Sequence, residues 1–154
     1  MKLRYIAMLL VLLLLFGCGG DSRREVEKAI NEAFRARADA VFLHKDQKLL
    51  NRFFSADAMT ENKNYLAWAP HGSWENIKDP AYRYNLRIDK LKVKGKNATA
   101  EVYETVIISW NNIDSVLVQG SALNEEAWSN RLHKIKLELN PEGNWIVMED
   151  LAKF

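Results

Sequence analysis

The sequence has a single cysteine, Cys18, so no disulfide can form within the chain. Its 154 residues must be held by an ordinary hydrophobic core, and a chain of this length can build one. Histidine is equally scarce. His44, His71 and His133 stand far apart, without the short spacings that bring ligands onto one ion, so a metal centre is not expected. There is no glycine-rich phosphate loop and no serine nucleophile elbow, which removes two common catalytic motifs. No internal repeat, linker or low-complexity tract interrupts the chain. Charge of one sign is also missing: 22 basic residues face 20 acidic ones, and Lys2 and Arg4 alone account for the difference. Nucleic acid is therefore not an expected partner, because phosphate binding needs a clustered cationic surplus.

Long apolar runs are absent too, except at the start. Ile6 to Phe16 is continuously apolar for eleven residues, after a short basic beginning at Lys2 and Arg4. That is the size of an export-signal core and falls well short of the ~20 residues a spanning helix needs. Leu15-Phe16-Gly17-Cys18 follows, and it resembles the lipobox of bacterial lipoproteins, in which a small residue precedes the modified cysteine. Phe16 departs from the pattern, where a smaller residue is usual. The resemblance implies cleavage before Cys18, a diacylglycerol on its sulfur, and a protein anchored by lipid on the extracytoplasmic side of the cell membrane. At about 0.8 kcal/mol per buried methylene, two acyl chains give lasting attachment where one is marginal. The bland alternative is a signal with an incidental cysteine. On the lipobox reading residues 1–17 are the signal peptide, 18–21 a lipidated tether and 22–154 one folded domain.

Within that domain Ser22 and Glu25 stand three apart as a capping box. Val26, Ile30, Ala33, Phe34, the stem of Arg37 and Val41 follow a helical period. Asp46 reads as the N-cap of a shorter helix with Leu49, Leu50, Phe53 and Phe54 on its apolar face. Residues 65–84 are rich in aromatics and turn formers and read as a short strand or loop followed by a turn or two of helix. The period then changes to two. Strands are expected at Leu86 to Val93, Ala98 to Trp110, Leu132 to Leu139 and Trp145 to Met148, with hairpin turns at 94–97 and 140–144. Residues 111–130 suggest an extended arm whose Val116-Leu117-Val118 is a core strand or, alternatively, a dimer contact. Lys90, Lys92, Lys94 and Lys96 alternate as a solvated strand face that discourages edge pairing, with anionic lipid headgroups as the other reading.

Helices first and a strand meander afterwards describe an α+β domain with its helices on one sheet face. Three stretches also resemble the NTF2-like superfamily: Asp46 with Leu50, Phe53, Phe54, Asp57 and Ala58; Val93 to Ala100; and Glu142-Gly143-Asn144-Trp145-Ile146-Val147. The resemblance implies N-terminal helices packed on a curved antiparallel sheet, with a conical cavity between them that members use for catalysis, for ligand binding, or only as a filled core. Fold alone does not choose among these.

Glu104 shares strand parity with Ala98, Ala100, Val102, Val106, Ile108 and Trp110, and a carboxylate on so apolar a stripe is expected to have a raised pKa. His133 shares parity with Ile135, Leu137 and Leu139. On adjacent strands the two would form an acid/base pair suited to an isomerase or hydratase. Otherwise Glu104 pairs with a cation and His133 is a satisfied strand residue. Trp68 and Trp74, with Tyr82, Tyr84 and His71, form an aromatic cluster able to stack on a sugar or cap an apolar ligand, or simply to close the core. Trp110 and Trp145 belong to the inner sheet face by parity, and Trp128 is expected to be partly exposed. The candidate pocket is therefore Glu104, His133, Trp110, Trp68 and Trp74. The preferred reading is a non-catalytic envelope module, without cofactor, that binds a small apolar or glycan ligand, a partner protein or a second copy of itself. The alternative is the enzyme using Glu104 and His133.

Overall fold

The computed structural model describes residues 19–43, 45–69, 74–75, 77–112 and 124–153. Cys18, His44, His71 and the Val116 to Val118 triplet lie outside these, as does the side chain of Trp128.

Helix α1 is Gly19–Phe42. It buries Val26, Ile30, Ala33, Phe34, Arg37, Ala38 and Val41, the stripe that its 3.6 period lays on one side. The helix begins three residues before Ser22, so the stretch expected to be a flexible tether has helical backbone from Gly19 onward. Asp46 does cap the next element, accepting from the Lys48 amide at 2.8 Å, but that element is a 3₁₀ helix, Gln47–Arg52. With 3.0 residues per turn, positions three apart eclipse. Leu50 and Phe53 therefore align toward the core, while Leu49 falls in line with Arg52 and is 52% exposed, against the expectation for it. Ser55 then caps α2, Ala56–Glu61, by accepting from the Ala58 amide, and α3, Lys63–Leu66, follows directly.

Four strands complete the chain: β1 Ile77–Lys94, β2 Asn97–Asn112, β3 Asn124–Leu139 and β4 Trp145–Lys153. They form one antiparallel sheet in the order β1-β2-β3-β4. The expected strands are all present and longer than their sequence patterns. The largest difference is at residues 77–84, the later part of the stretch expected to be a short strand or loop followed by a turn or two of helix. Tyr82, Tyr84, Leu86 and Ile88 continue the two-residue alternation there, and each packs against the core. Pro80 is tolerated because β1 is an edge strand and the ladder skips between Lys78 and Ala81. Further irregularities fall at Asp89/Lys92, Glu104/Val106 and Lys136/Leu137. Such bulges bend and twist a sheet. Asp79, Lys90 and Asn130, the non-glycine residues with positive φ, sit at three of them.

β2 alternates strictly, burying every second residue from Ala98 to Trp110. Its hairpin to β1 is a two-residue turn with Gly95 first, at φ +57°, as a type II′ turn requires. The chain before α2 is stitched to β4 by a parallel bridge between Phe54 and Val147 and by the Ser55 amide donating to the Val147 carbonyl at 2.9 Å. The result is the α+β arrangement anticipated, helices on one face of a bent antiparallel sheet.

Two changes separate the two neighbouring leucines. Leu50→Ala should lower the unfolding free energy by about 2–5 kcal/mol. Leu49→Gln should stay within about 0.5 kcal/mol of the parent, as surface substitutions do. Urea unfolding followed by tryptophan fluorescence measures both, and equal losses would contradict the placement of the 3₁₀ helix.

Candidate functional site

Arg37 is placed by α1 in the middle of the buried stripe, and the whole residue is 1% exposed. A guanidinium cannot enter an apolar interior without partners. Here the helical layer supplies one and the sheet two. Nη1 donates to Oδ1 of Asn62, between α2 and α3, at 3.2 Å, and to Oδ2 of Asp150 on β4. Nη2 donates to Oε1 of Glu104 on β2 at 3.3 Å. The flat cation also lies 4.2 Å from the ring centre of Phe34 and 4.6 Å from that of Tyr65, favourable contacts for a guanidinium over aromatic faces.

The same carboxylates are engaged from their other sides. The Tyr65 hydroxyl donates to Oε2 of Glu104 at 3.1 Å. His133 on β3 places Nδ1 2.7 Å from Oδ1 of Asp150. Its Nε2 lies 3.4 Å from Oε2 of Glu104, within ion-pair range though outside hydrogen-bonding geometry. Phe34 meets the imidazole edge-on at 5.1 Å. With His133 neutral, Arg37, Glu104, Asp150 and His133 sum to −1; with the imidazole doubly protonated they sum to zero. Among the described residues no group of three His, Cys, Asp or Glu side chains is arranged to hold a metal ion.

Glu104 and His133 thus meet, as their parity suggested, on adjacent strands and facing the same side. The surroundings differ from expectation in one decisive respect. Burial does oppose ionisation of Glu104, but Arg37, the His133 contact and the Tyr65 hydrogen bond outweigh it and hold the carboxyl below its usual range rather than above. Asp150 is lowered in the same way, burial being overcome by Arg37 and then His133. Arg37 is in turn raised, because Glu104 and Asp150 more than offset its desolvation. Tyr65 is pushed well up by burial and by the charge of Glu104, and so stays a hydrogen-bond donor. Both Glu104 and His133 are 0% exposed.

The aromatic candidates collect at the C-terminal end of α1, around Phe42. Trp68 stands edge-on to Trp74 at 6.0 Å, to Trp110 at 6.5 Å and to Phe42 at 5.4 Å. Trp110 is buried, and Trp68 and Trp74 pack partly buried against the core. Beside them a groove of about 640 Å³ runs between α1 and β1 over Tyr82 and Tyr84, flanked by Arg35, Asp39 and Lys45. The Tyr82 hydroxyl donates to Asp39 at 2.5 Å and the Lys45 ammonium to the other carboxylate oxygen at 3.0 Å. Asp39 is lowered despite partial burial because both partners favour its anion.

No family model matches the chain, and no curated protein matches it. Its structure is similar to the intermembrane space region of the chloroplast protein ARC6, with a TM-score of 0.54 and 13% identity over 84% of this chain and 94% of that one. It is also similar to an NTF2-like superfamily protein from Salmonella enterica subsp. enterica serovar Typhimurium str. LT2, with a TM-score of 0.46 and 12% identity over 85% of this chain and 89% of that one. The first likeness speaks to fold alone, and the second is too distant to carry an argument. No helix among the described residues is long and apolar enough to cross a membrane.

Arg37 and Asp150 were the functional-looking residues that sequence patterns did not select. A charged residue on the apolar stripe of α1 was the available signal for Arg37, and it was read as an aliphatic stem. Asp150, in a strand expected to stop at Met148, gave none.

Replacing Arg37 by Met should cost about 3–5 kcal/mol, because two buried carboxylates lose their cation. The depressed carboxyls also set a pH dependence. Their contribution is complete above the ordinary carboxylate range, roughly pH 4, and is lost as pH falls through their lower folded values. Urea midpoints should therefore drop below about pH 4, and the drop should be shallower in Asp150→Asn, a variant already weaker at neutral pH. An equally steep acid loss in that variant would remove Asp150 from the cluster.

Proposed function

We propose that this chain is a lipid-anchored, extracytoplasmic NTF2-like domain that acts as a non-catalytic binding module in a bacterial envelope, with Cys18 as the acylated residue. The observation that carries the non-catalytic reading is the complete burial of Glu104 and His133 among partners that already use them. A general base needs room for a substrate within about 3 Å. Here those positions are taken by Arg37, Tyr65 and Asp150.

The binding surface we assign is the groove over Tyr82 and Tyr84. Tyrosine faces beside a carboxylate, an ammonium and a guanidinium offer apolar stacking together with donors and acceptors for hydroxyl groups, the combination a glycan presents to. A small apolar ligand would use the rings alone. The convergence of Glu104 and His133 at 3.4 Å favours the enzyme as the second reading, which requires the core to open around them.

Two experiments test this. Cys18→Ser should release the protein from membranes or leave uncleaved precursor; unchanged membrane retention with normal maturation would defeat the anchor. Soluble envelope-glycan fragments titrated against the detergent-extracted full chain should perturb tyrosine fluorescence, with Tyr82→Ala weakening binding about tenfold, the scale of one lost contact near 1.4 kcal/mol. Turnover of a carbonyl or hydroxy substrate that is lost in Glu104→Gln, while that variant stays folded, would favour the enzyme instead.

A further inference from the structure

We propose that the lysine-rich turn between β1 and β2 is a membrane-contact element, resting on anionic lipid headgroups of the bilayer that holds Cys18 and setting the domain upright with its Tyr82 groove facing away. This rests on the lipid anchor proposed above. Two contacts fix the geometry. Near the start of α1, Nη1 of Arg23 donates to the Leu91 carbonyl at 3.4 Å; near its end, the Tyr82 hydroxyl donates to Asp39 at 2.5 Å. α1 and β1 therefore run in opposite directions, and moving back along the helix toward Gly19 means moving forward along the strand toward Lys94.

The lengths then decide which part reaches the anchor. From Arg23 back to Gly19 the helix rises about 6 Å, at 1.5 Å per residue. From Leu91 forward to Gly95 the strand and turn advance about 13 Å, at 3.3 Å per residue. The turn thus reaches the level of Gly19 and passes it by several ångströms. Cys18 is the residue immediately before Gly19, and the described helical backbone begins at Gly19. The first described turn of α1 and the tip of this hairpin thus lie at the same end of the domain.

The charge at that tip suits the surface it would meet. Residues 90–100 contain four lysines and no acidic residue. Lys90 is held by Glu101 at 2.9 Å, but Lys92, Lys94 and Lys96 are exposed. Around them Arg24 and Glu25 offset one another at the start of α1, and the exposed Glu138 and Glu142 temper the field from β3 and its turn. Asp21 adds one further negative charge near Gly19, so the positive charge is concentrated locally, in the turn itself. Asp39 is twenty residues along α1 from Gly19, about 30 Å, several Debye lengths from the headgroups. The two ends of the domain consequently meet different surroundings.

The full-length lipidated protein, reconstituted into phosphatidylcholine vesicles with about a third phosphatidylglycerol, tests this directly. A fluorophore is attached at Asn97→Cys beside the turn or at Ala81→Cys at the far end, and the quencher is a nitroxide carried on a lipid headgroup. An acylated Cys18 leaves the introduced thiol as the one that reacts. Quenching at position 97 should exceed that at 81 by about threefold or more, and the contrast should shrink in the Lys92→Glu/Lys94→Glu/Lys96→Glu variant and at high salt. A floating, lipidated protein with equal quenching at both positions, or with a contrast that charge reversal leaves unchanged, overturns the proposal while the anchor stands. Parent protein that labels at Cys18 and fails to float overturns both.

Discussion

A guanidinium in an apolar interior is tolerable only where its charge is matched on every side, and Arg37 makes that demand at the centre of this domain. Its partners come from β2, from β4 and from the junction of α2 and α3, so the docking of helices on the sheet is set by charge geometry as well as by shape. Apolar stripes alone are forgiving. A helix can slide along a sheet by one turn, about 5.4 Å, and still bury similar area. With Arg37 in the stripe such a slip would strand a cation on one side and two carboxylates on the other. The cluster thus acts as a register lock whose contribution is to specificity more than to net stability.

That lock also occupies the space between the helices and the sheet. The inner face of the sheet, with Glu104 and His133 at its middle, is spent on internal structure. The open groove lies at the outer margin, where tyrosine rings and mixed charges border α1 and β1. The inner-face carboxylate and imidazole that face each other on neighbouring strands are already engaged by Arg37 and Tyr65 on one side and Asp150 on the other.

Much of the architecture was legible because burial imposes simple periods. The alternation from Ala98 to Trp110 and the helical stripe from Val26 to Val41 were read correctly, as were both hairpin turns with their positive-φ glycines. Boundaries were less legible where the period was carried by tyrosines rather than aliphatics, as in β1 from Tyr82 onward. Leu49 was misplaced because a 3₁₀ helix has a different repeat from an α-helix. The site was half legible for a comparable reason. Strand parity pairs Glu104 with His133, but nothing local tells which distant cation will neutralise a buried acid, so the sign of the Glu104 pKa shift depended on Arg37, 67 residues away.

An open sheet has two free borders, and each could recruit a strand from another molecule. In β1 the ladder is broken at two bulges, one of them carrying Pro80, so no long straight template is offered. In β4 the outward amide and carbonyl of Val147 are already bonded to Phe53 and Ser55. The two borders are blunted by unrelated devices, one by distortion and one by occupation. Neither border therefore offers a second copy a long, straight edge on which to extend a shared sheet.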